Sequence, residues 1–101
     1  MQSYQNVWEA ITDDPHEAKI LSIKSKLTML AVQFIRNKQL TQAEVSLLTG
    51  VSQPRISNMM RGQLDKFSID MLLTLVSKLG IAIEIGFDPE YGLTIQLGVV
   101  Q

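Results

Sequence analysis

Cysteine is absent from these 101 residues, which excludes disulfides and any thiolate metal site. Histidine occurs once, as His16, and no Asp, Glu or His stands at a ligand or catalytic spacing from it. There is no glycine-rich phosphate loop, and the carboxylates gather mainly toward the two ends of the chain. Asp13 and Asp14 are consecutive and point in different directions, so they are poor partners for acid–base work. With no converging set of reactive groups, an enzyme is not expected, nor a metal or cofactor. No apolar run approaches the ~20 residues of a membrane span, and the N-terminus lacks a basic-then-apolar signal pattern. Cytoplasm is the expected compartment. Repeats, Gly/Ser linkers and low-complexity tracts are missing, so the chain reads as one domain, 1–101, with one modest core. The five methionines read as initiator and core packing rather than ligands.

An overall basic charge is also lacking. The formal net charge is −1, which on its own argues against a nucleic-acid partner. Its distribution reverses that argument. Residues 1–18 carry Glu9, Asp13, Asp14 and Glu17 with no Lys or Arg. Residues 67–101 carry Lys78 against Asp70, Glu84, Asp88 and Glu90. Between them, Lys19, Lys24, Lys26, Arg36, Lys38, Arg55, Arg61 and Lys66 face only Glu44 and Asp65. Both ends are acidic and the middle is basic, and a local patch is what phosphate contact requires.

The middle also holds the most informative segment, TQAEVSLLTGVSQPRISNMMRG, residues 41–62. Thr41 followed by Glu44 is a capping box, and Val45 and Leu48, with Ala43 and Leu47 beside them, give the helix an apolar face. Gly50 stands where a helix ends in a left-handed conformation that glycine adopts cheaply. Val51 drops into the core, Ser52 caps a second helix, and Pro54 falls in its first turn. Two helices joined this tightly form a helix-turn-helix, whose second helix enters a DNA major groove. On that helix Ile56, Met59 and Met60 point inward at ~100° per residue, leaving Pro54, Ser57, Asn58 and Arg61 outward. Gln53 projects from its start and Arg55 from a flank. An idle solvent face carries Glu and Lys in pairs; this one carries no acid. Gln and Asn can bond adenine, Arg can read guanine, and all reach phosphate.

TQAE, GVSQ and ISNMMRG resemble the helix-turn-helix of the XRE (Cro-type) regulators, the lambda-repressor-like class. The flanking VWEAITDDPHEAKILSIKSKLTMLAVQFI and LDKFSIDMLLTLVSKLGIAIEI resemble a subfamily of small antitoxins of the HigA type, encoded beside a RelE-like toxin. The resemblance covers roughly residues 7 to 87. It implies that Gln42 bonds a backbone phosphate and that Gln53, Pro54 and Asn58 occupy groove-facing positions. Many relatives carry Gln or another polar residue where Pro54 stands, so one base hydrogen bond is missing, to be supplied by Arg55 or Arg61. Ser52, Ser57 and Lys66 are the further expected phosphate contacts.

Around the motif, Ile20, Leu21, Ile23, Leu27, Leu30, Ala31, Phe34 and Ile35 mark an amphipathic helix over 15–37, capped by Asp14 with Pro15 first. After it, Ser68 caps a helix whose core positions are Met71, Leu72, Leu75, Val76 and Leu79, closed by Gly80. The expected class is mainly α: a bundle of four to five helices over 15–79, with a C-terminal β-hairpin or strand pair over 81–100. In that last part Ile81, Ile83, Ile85 and Phe87 alternate with smaller or polar residues, as do Leu93, Ile95, Leu97 and Val99 beyond the turn-rich DPEYG. A lone hairpin is marginal in water and an apolar edge invites another chain. Ile81, Ile83, Ile85, Leu93, Ile95 and Leu97 are therefore expected at a homodimer interface, with a sheet shared between subunits. The alternative is a hairpin folded back on its own helices. In the N-terminal arm, 1–14, Val7, Trp8 and Ile11 cluster at helical spacing. They either cap the domain's own core or, flanked by acids, dock on a basic partner such as a RelE-like toxin.

Overall fold

The computed structural model describes residues 13–99. Helix α1 spans Pro15–Asn37 and begins as its chemistry requires, with the Asp14 carboxylate accepting the His16 N–H at 2.9 Å and Pro15 in the first turn. It ends in a Schellman turn: the Leu40 N–H donates to the Ile35 carbonyl at 3.0 Å and the Gln39 N–H to that of Arg36 at 3.1 Å. The left-handed residue of this turn is Gln39, at φ 56°, the one non-glycine with positive φ among the described residues.

Helices α2 (Gln42–Thr49) and α3 (Gln53–Met60) follow, then a 3-10 turn at Leu64–Lys66 and helix α4 (Ile69–Lys78). Four α-helices and the 3-10 turn meet the expectation of four to five. Leu27, Ala31 and Ile35 of α1, Val45 of α2, Ile56 and Met59 of α3, Phe67, and Leu72, Leu75, Val76 and Leu79 around α4 form one core cluster.

The apolar face of each of the first two helices is rotated from the expected one. On α1, Ile20, Ile23 and Leu30 are exposed, because the core meets this helix along Leu27, Ala31 and Ile35; Ala18 and Thr28 are buried as well. On α2, Leu47 is 86% exposed and Leu48 51%. That helix has only eight residues and turns one line, Val45 and Thr49, to the core. Thr49 tolerates burial because its hydroxyl donates to the Val45 carbonyl at 2.7 Å. The equally buried Thr28 hydroxyl on α1 has no partner.

Strands β1 (Ile81–Asp88) and β2 (Gly92–Val99) form one antiparallel hairpin in which Ile83 faces Leu97, Ile85 faces Ile95 and Phe87 faces Leu93. Its turn is held by the Asp88 carboxylate, which accepts the N–H groups of Glu90 and Tyr91 at 2.7 and 3.0 Å. Only the root packs on the bundle. Ile81 is buried and Ile83 and Leu97 lie against the core, whereas Ile85, Phe87, Leu93 and Ile95 remain exposed.

Candidate nucleic-acid interface

The junction of α2 and α3 is set by local chemistry. The Thr41 N–H donates to Glu44 Oε1 at 2.8 Å and the Glu44 N–H to Thr41 Oγ1 at 3.1 Å, so the capping box is closed in both directions. Gly50 takes φ 75° and its N–H donates to the Ser46 carbonyl at 2.8 Å. Nothing crowds a Cβ there, so the backbone angle alone calls for glycine. Ser52 stands at the N-cap of α3 as expected, but its hydroxyl makes no cap bond. The first-turn N–H groups therefore lack a side-chain acceptor, an arrangement that suits an approaching anion.

Ile56 and Met59 anchor α3 with no exposed surface, and Met60 packs beside them. On the other side Gln53 and Pro54 are exposed, and Ser57 and Asn58 are half-buried. Arg61, immediately after the helix, folds back over them. Its guanidinium donates through Nη1 to Ser57 Oγ and through Nη2 to Asn58 Oδ1, the latter at 2.8 Å. Three of the expected DNA-contacting residues are thus brought together in one hydrogen-bonded clasp. The spacing of three and four residues between them was the available signal for it.

Arg55 is placed differently. Its Nη2 donates to the Lys66 carbonyl at 2.7 Å and lies 3.8 Å from Met71 Sδ. Its guanidinium sits over the ring of Phe67, 5.1 Å from the centroid. This arginine ties α3 to the turn before α4. Sequence reasoning had no access to that role, since the acceptor is a backbone carbonyl eleven residues away. Lys66 itself presents an exposed side chain on that turn, and Gln42 is exposed at the start of α2. Within α3 there is no acid.

At the start of α4, the Ser68 hydroxyl accepts the Met71 N–H at 3.2 Å and donates to Asp70 Oδ1 at 2.6 Å. The Ser68 hydroxyl, followed by the backbone N–H groups of Asp70 and Met71, holds the Asp70 carboxyl below its ordinary range. Val7, Trp8 and Ile11 lie outside the described residues. Among those described, no group of three or more His, Asp or Glu could hold a metal ion, and no helix is long and apolar enough to cross a membrane.

A family model described as a helix-turn-helix domain matches residues 10–87. Among curated proteins no similar sequence is found.

Proposed function

We propose a function on one premise: the chain belongs to the helix-turn-helix domain family. It is a sequence-specific DNA-binding regulator of transcription, acting by binding rather than catalysis. A homodimer represses at a palindromic operator, each copy laying α3 in the major groove of one half-site. Gln53, Asn58 and Arg61 read base edges, with Pro54 in apolar contact beside them. Gln42, Ser52, Ser57 and Lys66 hold phosphates, and Arg55 keeps α3 at its angle to α4.

The observation that carries this reading is the outward face of α3, polar apart from Pro54, free of acids and backed by a buried Ile56–Met59 anchor. The test is titration of the DNA upstream of the protein's own gene, by fluorescence anisotropy at several salt concentrations. Steep weakening with salt is expected. Asn58→Ala should cost about tenfold or more in affinity with the helical spectrum unchanged, the range of a lost bidentate base contact. Equal affinity of the wild type for that DNA and for an unrelated duplex would overturn the reading.

A second task is supported by the resemblance to HigA-type antitoxins of the XRE class, and by apolar surface to spare. Leu47 is 86% exposed, and Leu48 borders a groove with Phe34, Lys38, Leu40 and Leu79. In that reading the protein also neutralises a basic, RelE-like toxin. Co-expression with the product of the adjacent gene tests it, and no complex on size exclusion would rule it out.

A further inference from the structure

The hairpin register puts Ile83, Ile85 and Phe87 of β1 on the same face as Leu97, Ile95 and Leu93 of β2. The other face holds Ala82, Glu84, Gly86, Thr94 and Gln96. One apolar surface therefore runs from root to tip, and only its root is covered. Ile85 is 67% exposed, Phe87 73%, Leu93 70% and Ile95 46%.

The two edges of this sheet are not alike. Strand β1 packs on α4 and carries Glu84 and Asp88. At the root of the hairpin, Ile81 of β1 and Leu97 and Gly98 of β2 border a groove with Leu30, Gln33 and Phe34 of α1. With β1 packed on α4, the outer edge of β2 is the one left open. Along Gly92–Val99 it carries no charged residue and no proline, the usual means of blocking an open edge.

We propose that this edge pairs with the same edge of a second copy. The product is one four-stranded antiparallel sheet, ordered β1–β2–β2–β1 across a twofold axis. The inference rests on the dimeric-regulator reading for its purpose. A twofold axis normal to the sheet keeps each residue on its own face, so the apolar surfaces of both copies join on one side. With Ile95 opposite Ile95 of the second copy, Leu93 falls opposite Leu97 and Thr94 opposite Gln96, and the strands overlap over nearly their whole length. The tip of each hairpin then arrives beside the other copy's Leu97, which borders the same groove as Leu30. Leu30 is 39% exposed. Ile23, 38% exposed, lies two turns earlier on the same face of α1. Both are apolar residues that the monomer leaves uncovered. Leu93 and Ile95 of both copies meet across this seam, and Ile85 and Phe87 extend the same apolar face on the outer strands.

The absence of cysteine makes the test direct, because an introduced cysteine can form a disulfide only between copies. Ile95→Cys under mild oxidation should give nearly complete covalent dimer on a non-reducing gel. Leu47→Cys, on the exposed side of α2, should give little. In sedimentation of the full chain up to about 100 µM, the wild type should be dimeric. Thr94→Lys with Gln96→Lys places like charges opposite one another on the polar face. It should weaken the dimer about tenfold or more with the helical spectrum intact. A monomeric wild type, equal cross-linking at positions 95 and 47, or a dimer indifferent to the lysine pair would each overturn the proposal. DNA affinity measured on the same samples judges the regulator reading separately, since a monomer of a true regulator still binds a single half-site.

Discussion

Replacing Arg55 by alanine separates a structural arginine from a base-reading one. Besides the weak contact with Met71 Sδ, two interactions are removed. The bond from Nη2 to the Lys66 carbonyl, 2.7 Å long, has a charged donor, worth about 1.5 kcal/mol at the low end of its range because the site is wet. The guanidinium over Phe67, at 5.1 Å, adds about 0.5–1 kcal/mol. The ring itself is 2% exposed, so truncation also uncovers part of a core aromatic. Arg55→Ala is therefore expected to cost about 2 kcal/mol, which in a chain of this size lowers Tm by roughly 8–16 °C. Arg55→Lys keeps the stem and the charge but not the planar fork, and should lose about half as much. Urea denaturation followed by circular dichroism measures both, with the slope expected to stay constant. If Arg55→Ala leaves the midpoint unchanged and abolishes DNA binding, the contacts with Lys66 and Phe67 are incidental and Arg55 is a reader after all.

Three further substitutions act on single features. Thr28→Val removes a buried hydroxyl that has no partner while keeping the branched shape, and should raise stability by about 1 kcal/mol in the same assay. Gln39→Gly relieves a side chain held at φ 56° and should add about 0.5–1 kcal/mol, seen as a higher urea midpoint. Asp70 is held below its ordinary pKa by the Ser68 hydroxyl first and by backbone N–H groups after it. A depressed folded-state value means stabilisation that is present above the unfolded value and lost as pH falls through the folded one. The wild type should therefore lose midpoint more steeply than Asp70→Asn below about pH 4.

The reading head was legible because its signals are local. Thr41 with Glu44, Gly50, and Pro54 each constrain the backbone within a few residues of themselves, and each sits where that chemistry requires. The strands were equally plain from alternation alone, to within a residue at each end. Other features depend on contacts far along the chain. Periodicity identifies an apolar stripe on α1 but cannot say which flank of it the other helices will meet, so Ile20, Ile23 and Leu30 were assigned to the core and stand outside it. Gln39 occupies a position that glycine normally marks, and a break was expected there without its geometry. Arg55 is expected as a DNA contact from its residue type and its place on the flank of α3; its bond to the Lys66 carbonyl belongs to the tertiary fold and leaves no local signal.

The clasp of Arg61 on Ser57 and Asn58 bears on how an operator would be chosen. These polar groups approach DNA already satisfied, so contact with a base is an exchange of partners rather than a new bond. On the proposed reading, a matching base pair would open the clasp and a mismatched one would leave it closed, with little lost. Discrimination then comes as much from the closed state as from the open one. The three residues also open together, so their substitutions should be strongly non-additive. Asn58 and Arg61 would then behave as one letter of the recognition code, with the Ser57 phosphate contact tied to it.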